Sequence, residues 1–339
     1  MGTFTRYSRE DISISTDKVT SNTWTNNTNA LTTTFTSSTQ AVFTDAKAQG
    51  NFFLEIRKGE DTVSSSVEYT VSYGHRYGSG SENFTNTAGA IGNTATKCVY
   101  NQYRQLVFGD ENSNFNFNGF VPNDIHVLNI DRGRFKHNLK QGSLNLKLKG
   151  NNTIHLTDDS ITTTGSATIT NIGRQFNVIS GSDGVMSGSE LNQTPEGSGS
   201  YGFIYPDVGI IILNGEALRN YDTSYWTEGD AASAQKKIQQ VYGAIKTGAS
   251  FELDSEERIS SQFIFTRIKN AAYNYTTNPS YIDNNGDLLI SDFVDSPTTY
   301  VTTIGLYNDN NNLIAVAKLS QPLKKDFTTE ALVRVKLDY

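Results

Sequence analysis

The sequence predicts a mainly β protein, built as antiparallel sandwich or meander domains with about two amphipathic helices, near 97–108 and 231–247. Three observations predict it. First, 39 Thr, 33 Asn and 32 Ser make up almost a third of the 339 residues, and aromatics reach 11% through 17 Tyr and 18 Phe; Thr and Tyr fit a pleated, half-buried surface. Second, several segments alternate apolar and polar residues with the period of a strand. Third, turn residues interrupt 153–179 at the roughly 8–12-residue spacing of short antiparallel strands.

The first 45 residues are Thr-rich and β-prone, and Trp24, Phe35 and Phe43 offer anchors to a stretch that could otherwise be a mobile arm. Residues 51–57 read as a strand. Val67, Tyr69, Val71 and Tyr73 alternate with Glu68, Thr70 and Ser72, which predicts a strand buried on one face. Beyond a Gly/Ser/Asn loop from 74 to about 93, Val99, Tyr103, Leu106 and Val107 recur at helical spacing, and Gly109 can cap the helix. Phe115, Phe117 and the loop Asn118-Gly119 lead into strands near 125–130 and 143–149. In the second of these, Leu144, Leu146 and Leu148 oppose Asn145, Lys147 and Lys149, so one face is core and the other solvent. Ile154, Leu156, Ile161, Ile169, Phe176 and Val178 mark further short strands.

The Gly/Ser-rich stretch 181–200 is the expected boundary between a β-rich region, 1–180, and an α+β region, 201–339. Residues 203–205 and 209–213 form a hairpin pair around Pro206-Asp207. In the clearest helix, Ile238, Val241, Tyr242 and Ile245 lie at i, i+3, i+4 and i+7, with Gly248 as its stop. Asp283–Asp287 and Asn308–Asn312 read as hairpin turns. The chain closes on an alternating strand, Ala331 to Tyr339.

A net charge of −7 argues against nucleic-acid partners. Cys98 is the only cysteine, so no intrachain disulfide can form. No stretch approaches the ~20 apolar residues of a membrane span, and the N-terminus lacks the apolar run of a signal peptide. Synthesis in a cytoplasm, without export and without a membrane partner, is the expectation. His75, His126, His137 and His155 have no metal-ligand spacing, no Gly-x-Ser-x-Gly elbow is present, and the Gly/Ser runs lack the Lys-Ser/Thr end of a phosphate loop. Catalytic, cofactor and metal residues are therefore assigned to none. Asp158-Asp159, Asp222, Asp283 and Asp287 are the acids to test for a glycan hydrolase, which needs two carboxylates about 5–10 Å apart; turn chemistry explains Asp-Asn-Asn-Gly-Asp as well. Arg132, Arg134, Lys136, Lys140, Lys147 and Lys149 form a basic stretch that faces an acidic partner or nucleic acid or, on the plainer reading, water.

Several strings carry a resemblance. They are Phe265-Thr-Arg-Ile-Lys-Asn270, Asn274-Tyr-Thr-Thr-Asn-Pro-Ser-Tyr281, Thr299 to Asp309 and Leu313 to Lys325, with Val99 to Gly109 and Tyr205 to Asn214 similar in character. This chain resembles virion structural proteins of contractile-tailed, T4-like phages, including those of marine cyanobacteria. The resemblance implies a non-enzymatic virion component of the baseplate or tail, with no cofactor, whose partners are other virion proteins and copies of itself. Residues expected at assembly interfaces are Val333, Val335, Leu337 and Tyr339 on the terminal strand, with Phe115 and Phe117. The alternative is a fibre-like carbohydrate or receptor binder for host glycans, using exposed Tyr or Trp226 as stacking platforms; a β-rich glycan hydrolase is the third reading.

Overall fold

The computed structural model describes residues 4–32, 35–37, 53–59, 65–80, 95–162, 167–186, 200–226, 234–275 and 278–338. Its elements begin with β1 (Ile12–Asn22), β2 (Ala30–Leu31), β3 (Phe35–Ser37), β4 (Phe53–Lys58), β5 (Val67–His75) and α1 (Ala95–Phe108). Then come β6 (Asp124–Ile130), β7 (Asn138–Leu139), β8 (Asn145–Lys149), β9 (Thr153–Asp158), β10 (Thr168–Thr170), β11 (Gly173–Ser182) and β12 (Val185–Met186). The chain continues through β13 (Gly202–Tyr205), β14 (Ile210–Asn214), α2 (Gly215–Tyr221), α3 (Ala234–Gly248), β15 (Phe251–Glu252) and β16 (Asp254–Ile268). It ends in α4 (Ser291–Asp295), β17 (Thr299–Tyr307), β18 (Leu313–Lys325) and β19 (Ala331–Asp338). The protein is mainly β and the strand pairs are antiparallel, as the alternation and turns predicted.

Two compact units form: residues 18–257, and residues 1–17 together with 258–339. The expected boundary at 181–200 is thus not where the chain divides. Strands β11 and β13, on either side of that Gly/Ser stretch, pair within one sheet, Phe176 opposite Ile204. Strand pairing outweighs local composition there, because both strands bury apolar side chains in the same core.

In the 18–257 unit, a 13-stranded sheet has the order β2-β15-β8-β9-β11-β13-β14-β6-β5-β4-β3, with β10 and β12 attached to β11. Helix α3 packs against both β8 and β5, which lie six strand positions apart. A flat sheet would separate them by about 29 Å, more than the ~10–12 Å width of a helix. The sheet therefore curls around α3, whose Ala234, Ile238, Val241, Ala244 and Ile245 are all buried. Helix α1 covers the opposite face, where Tyr100 and Val107 join Ile125, Val127, Phe203, Tyr205 and Ile212 in a second core. Strand β5 was expected to be buried on one face only. With helices packed on it from both sides, its polar Glu68 and Ser72 are buried too.

Capping explains where the helices start and stop. Gly109 follows α1 with φ 66° and donates its N–H to Gln105 O at 2.9 Å, the left-handed cap its position suggested. Gly248 ends α3 for a different reason: a Cβ there would lie 2.1 Å from Lys147 O, and the left-handed residue is the next one, Ala249, at φ 58°. Helix α2 was not foreseen. Asn214, the last residue of β14, caps it by accepting from the N–H groups of Glu216 (3.1 Å) and Ala217 (3.2 Å).

The other unit has a much smaller core, Ile264, Ile304, Leu306 and Val335. Its N-terminal segment is tied on by polar contacts: Thr5 to Tyr273, Tyr7 to Thr266, and Asp11 to Arg267. Both predicted turns form, with the same wiring. Asp283 Oδ1 accepts from the N–H groups of Asn285 and Asp287, and Asn308 Oδ1 from those of Asn310 and Asn312. The fourth residue of each, Gly286 and Asn311, has positive φ.

Candidate functional site

Most of the residues expected at an assembly interface lie inside the chain's own cores. Phe115 and Phe117 are fully buried, because alternation along 115–118 sends Asn116 and Asn118 outward in their place. Val335 is buried, and Val333 and Leu337 pack against its cluster. Pairing of β19 with β16 turns these odd-numbered residues inward and leaves Leu332, Arg334 and Lys336 exposed. These side chains thus contribute to packing within the chain itself. Tyr339 lies outside the described residues. The apolar surface is elsewhere in the same unit, on the β17–β18 hairpin, where Ile314 is 68% and Val316 57% exposed beside Tyr307 and Leu313. Phe4 meets the Tyr307 ring edge-on at 5.1 Å.

A polar recess of about 350 Å³ opens on the α1-covered face of the large sheet. One wall is the 116–119 turn. Phe117 and Phe120 exchange backbone hydrogen bonds, Asn118 (φ 51°) and Gly119 (φ 95°) take the positive φ of a type I′ turn, and Asn116 Oδ1 accepts from Gly119 N–H at 2.7 Å. The opposite wall is Gln175 and Asn177 of β11, with Asp159 beyond the end of β9. Asp159 accepts from Asn177 N–H (2.9 Å) and Asn177 Nδ2 (2.8 Å). Burial pushes its carboxyl above the ordinary carboxylate range despite those hydrogen bonds. Gln175 Oε1 accepts from the Tyr205 hydroxyl at 2.8 Å. Phe203, stacked on Phe117 at 4.4 Å, supplies the apolar part of the lining, whereas the Phe176 ring turns to the other face of the sheet and packs in the α3-side core.

The acids singled out as hydrolase candidates are mostly engaged with backbone N–H groups, and Asp283 and Asp287 share one turn. Asp158 is buried and takes N–H groups from Gly142 (2.7 Å) and Leu144 (3.1 Å) and the Ser160 hydroxyl, holding the start of β8. Asp222 accepts from Asn152 N–H at 2.8 Å, and Asp283 wires its turn. Among these acids, only Asp159 lines the recess. Trp226, expected as a stacking platform, is buried against His126 and Tyr225 and offers no ring to solvent. The basic stretch is partly used internally, Arg134 toward Glu68 and Lys140 toward Asp254. Among the described residues, no group of three or more His, Cys, Asp or Glu side chains comes close enough to share a metal ion.

A buried charge cluster that sequence spacing did not show lies where β6 meets α2. Arg219 donates to both oxygens of Asp124, at 2.7 and 3.0 Å, and also pairs with Glu216. Burial alone would raise the Asp124 carboxyl, but the Arg219 charge and hydrogen bonds outweigh it and hold it below the ordinary range. Two residues along β6, His126 packs between Tyr73 (5.2 Å) and Trp226 (5.8 Å), and its Nδ1 has no hydrogen-bond partner among the described residues. Desolvation depresses its pKa to about 4, so it is neutral at pH 7. Residues 95 positions apart in the chain build this cluster, which is why no local motif announces it. No family model, curated protein or solved structure matches the chain.

Proposed function

We propose that this chain is a non-enzymatic structural component of a tailed-phage particle, in its baseplate or tail, made in the host cytoplasm and working through interfaces with other particle proteins and with copies of itself. The observation that carries the reading is the exposed apolar face of the β17–β18 hairpin, built of Tyr307, Leu313, Ile314 and Val316. Among the described residues these two strands pair only with each other. A two-stranded hairpin is marginal in water by itself, and the buried cluster beneath it holds four residues. A neighbouring subunit laid over the outer face would add the apolar burial that the unit lacks. Strand β19 is also the edge of its sheet, with backbone groups placed for strand addition. The strings that resemble virion proteins fall largely in the same unit, which supports the reading independently of the packing.

Quantitative mass spectrometry of purified particles, scaled to a known capsid protein, tests it. The expected result is a copy number that matches the rotational order of the baseplate or tail. Absence of the chain from particles would overturn the proposal.

A further inference from the structure

We propose that the recess between the 116–119 turn and β11 binds an uncharged, hydroxyl-rich ligand, one sugar ring of a glycan. The inference does not rest on the particle reading. It starts from what the recess leaves unused. The Gln175 oxygen is taken by the Tyr205 hydroxyl, and the Asn116 oxygen by Gly119 N–H. Both amides are thereby oriented, and their NH₂ groups are left to donate. On the acceptor side, Asn177 spends its NH₂ on Asp159, which leaves its carbonyl oxygen. Thr168, directly opposite Gln175 in the β10–β11 pair, adds a hydroxyl, and Asn118 a whole amide. A set of donors and acceptors fixed before binding suits hydroxyl groups, each of which gives one hydrogen bond and takes others.

Charge narrows the class. Among the described residues no Lys, Arg or His lines the recess, and its charged group is the Asp159 carboxylate, which repels an anion. A cation would have to displace the Asn177 N–H groups that already hold both Asp159 oxygens. Phe203, which shares the recess face with its cross-strand partner Asn177, supplies the apolar contact for the C–H face of a sugar, while the amides take its hydroxyls. At about 350 Å³ the recess is at the small end of ligand pockets, which run from ~300 to 1,000 Å³. Its partial exposure sets the expected affinity in the millimolar range.

Saturation-transfer NMR on the full chain, with glucose, galactose, mannose, N-acetylglucosamine and their disaccharides as probes and inorganic phosphate as the charged control, tests this. At least one neutral sugar is expected to show transfer. Gln175→Ala should weaken its binding about tenfold or more. Thr168→Trp, at an exposed strand position, should abolish binding by filling the mouth while leaving the fold intact. Gln175→Ala also removes the Tyr205 partner, so the Thr168 variant keeps the result readable if the first loses stability. Three results would each overturn the site: no transfer from any sugar, transfer undiminished in Thr168→Trp, or tighter binding of phosphate.

Discussion

The two units handle the same polar, Thr- and Asn-rich composition in opposite ways. Residues 18–257 bury two large apolar clusters around α3 and under α1, while leaving Ile161, Ile169 and Val185 exposed, and enclose charged groups as well, Asp124 with Arg219 and Glu68 with Thr25. Residues 1–17 and 258–339 gather four buried apolar side chains in their core cluster, bury Ile268 and Phe293 besides, and display several more. Even their buried cation is handled with neutral groups: Lys325 Nζ donates to Asn270 O (2.7 Å), Asn274 Oδ1 (2.8 Å) and Asp326 O (2.6 Å). Curling a sheet around a helix creates an interior, whereas a two-stranded hairpin supplies only one covered face. The first unit has the larger buried interior and the second the smaller.

The sharpest way to break that contrast is Arg219→Ala. It would leave Asp124 buried without its cation, at a cost of about 3–5 kcal/mol, read as a lower urea midpoint for the 18–257 unit. A loss below about 1 kcal/mol would mean that water reaches the cluster and that the interior is less closed than its geometry indicates.

The second test is pH. His126 has a folded-state pKa near 4, below the ordinary 6.5, so between these values the unfolded chain binds the extra proton. Its contribution is complete above pH 6.5 and is lost as the pH falls toward 4, by about 3 kcal/mol at most. Burial lowers His75 in the same direction. Asp124, held below 3.8, gives way only at still lower pH. Thermal melts at pH 7 and pH 4.5 should differ for the parent chain, and less for His126→Phe.

Smaller effects probe the other unit. Asn308→Ala removes the oxygen that gathers two N–H groups and should cost about 1 kcal/mol, seen as faster amide exchange along β17 and β18. Replacing Ile314 and Val316 together by Lys should change folding stability by no more than about 0.5 kcal/mol. It should nonetheless abolish self-association in sedimentation experiments, and association that survives would place the interface elsewhere.

Local features were legible in the sequence. Alternation located β5, β8 and β19, helical spacing located α1 and α3, and turn residues gave both Asx-type turns, because each depends on neighbours a few positions away. What escaped was set by distant partners. The polar face of β5 read as solvent because nothing local reveals that a helix will cover it. Helix α2 was hidden since Asn214 closes a strand and caps a helix at once. For the terminal strand the alternation was right, but period 2 alone does not say whether its apolar face meets its own core or another molecule. The recess joins residues 116–119, 159 and 175–177, and only the pairing of β11 with β9 and β13 brings them together.

The unit formed by 1–17 and 258–339 is closed by contacts between the two ends of the chain, and 240 residues separate its parts. At the ~5–20 residues per second of synthesis, Thr5, Tyr7 and Asp11 wait about 10–50 s for Tyr273, Thr266 and Arg267, their partners. Phe4 waits longer, for Tyr307. The larger unit can complete its sheet in the meantime, since its last strand partner, β15, precedes the rest of the second unit in the chain. The large interior can therefore form before the apolar β17–β18 hairpin has been made.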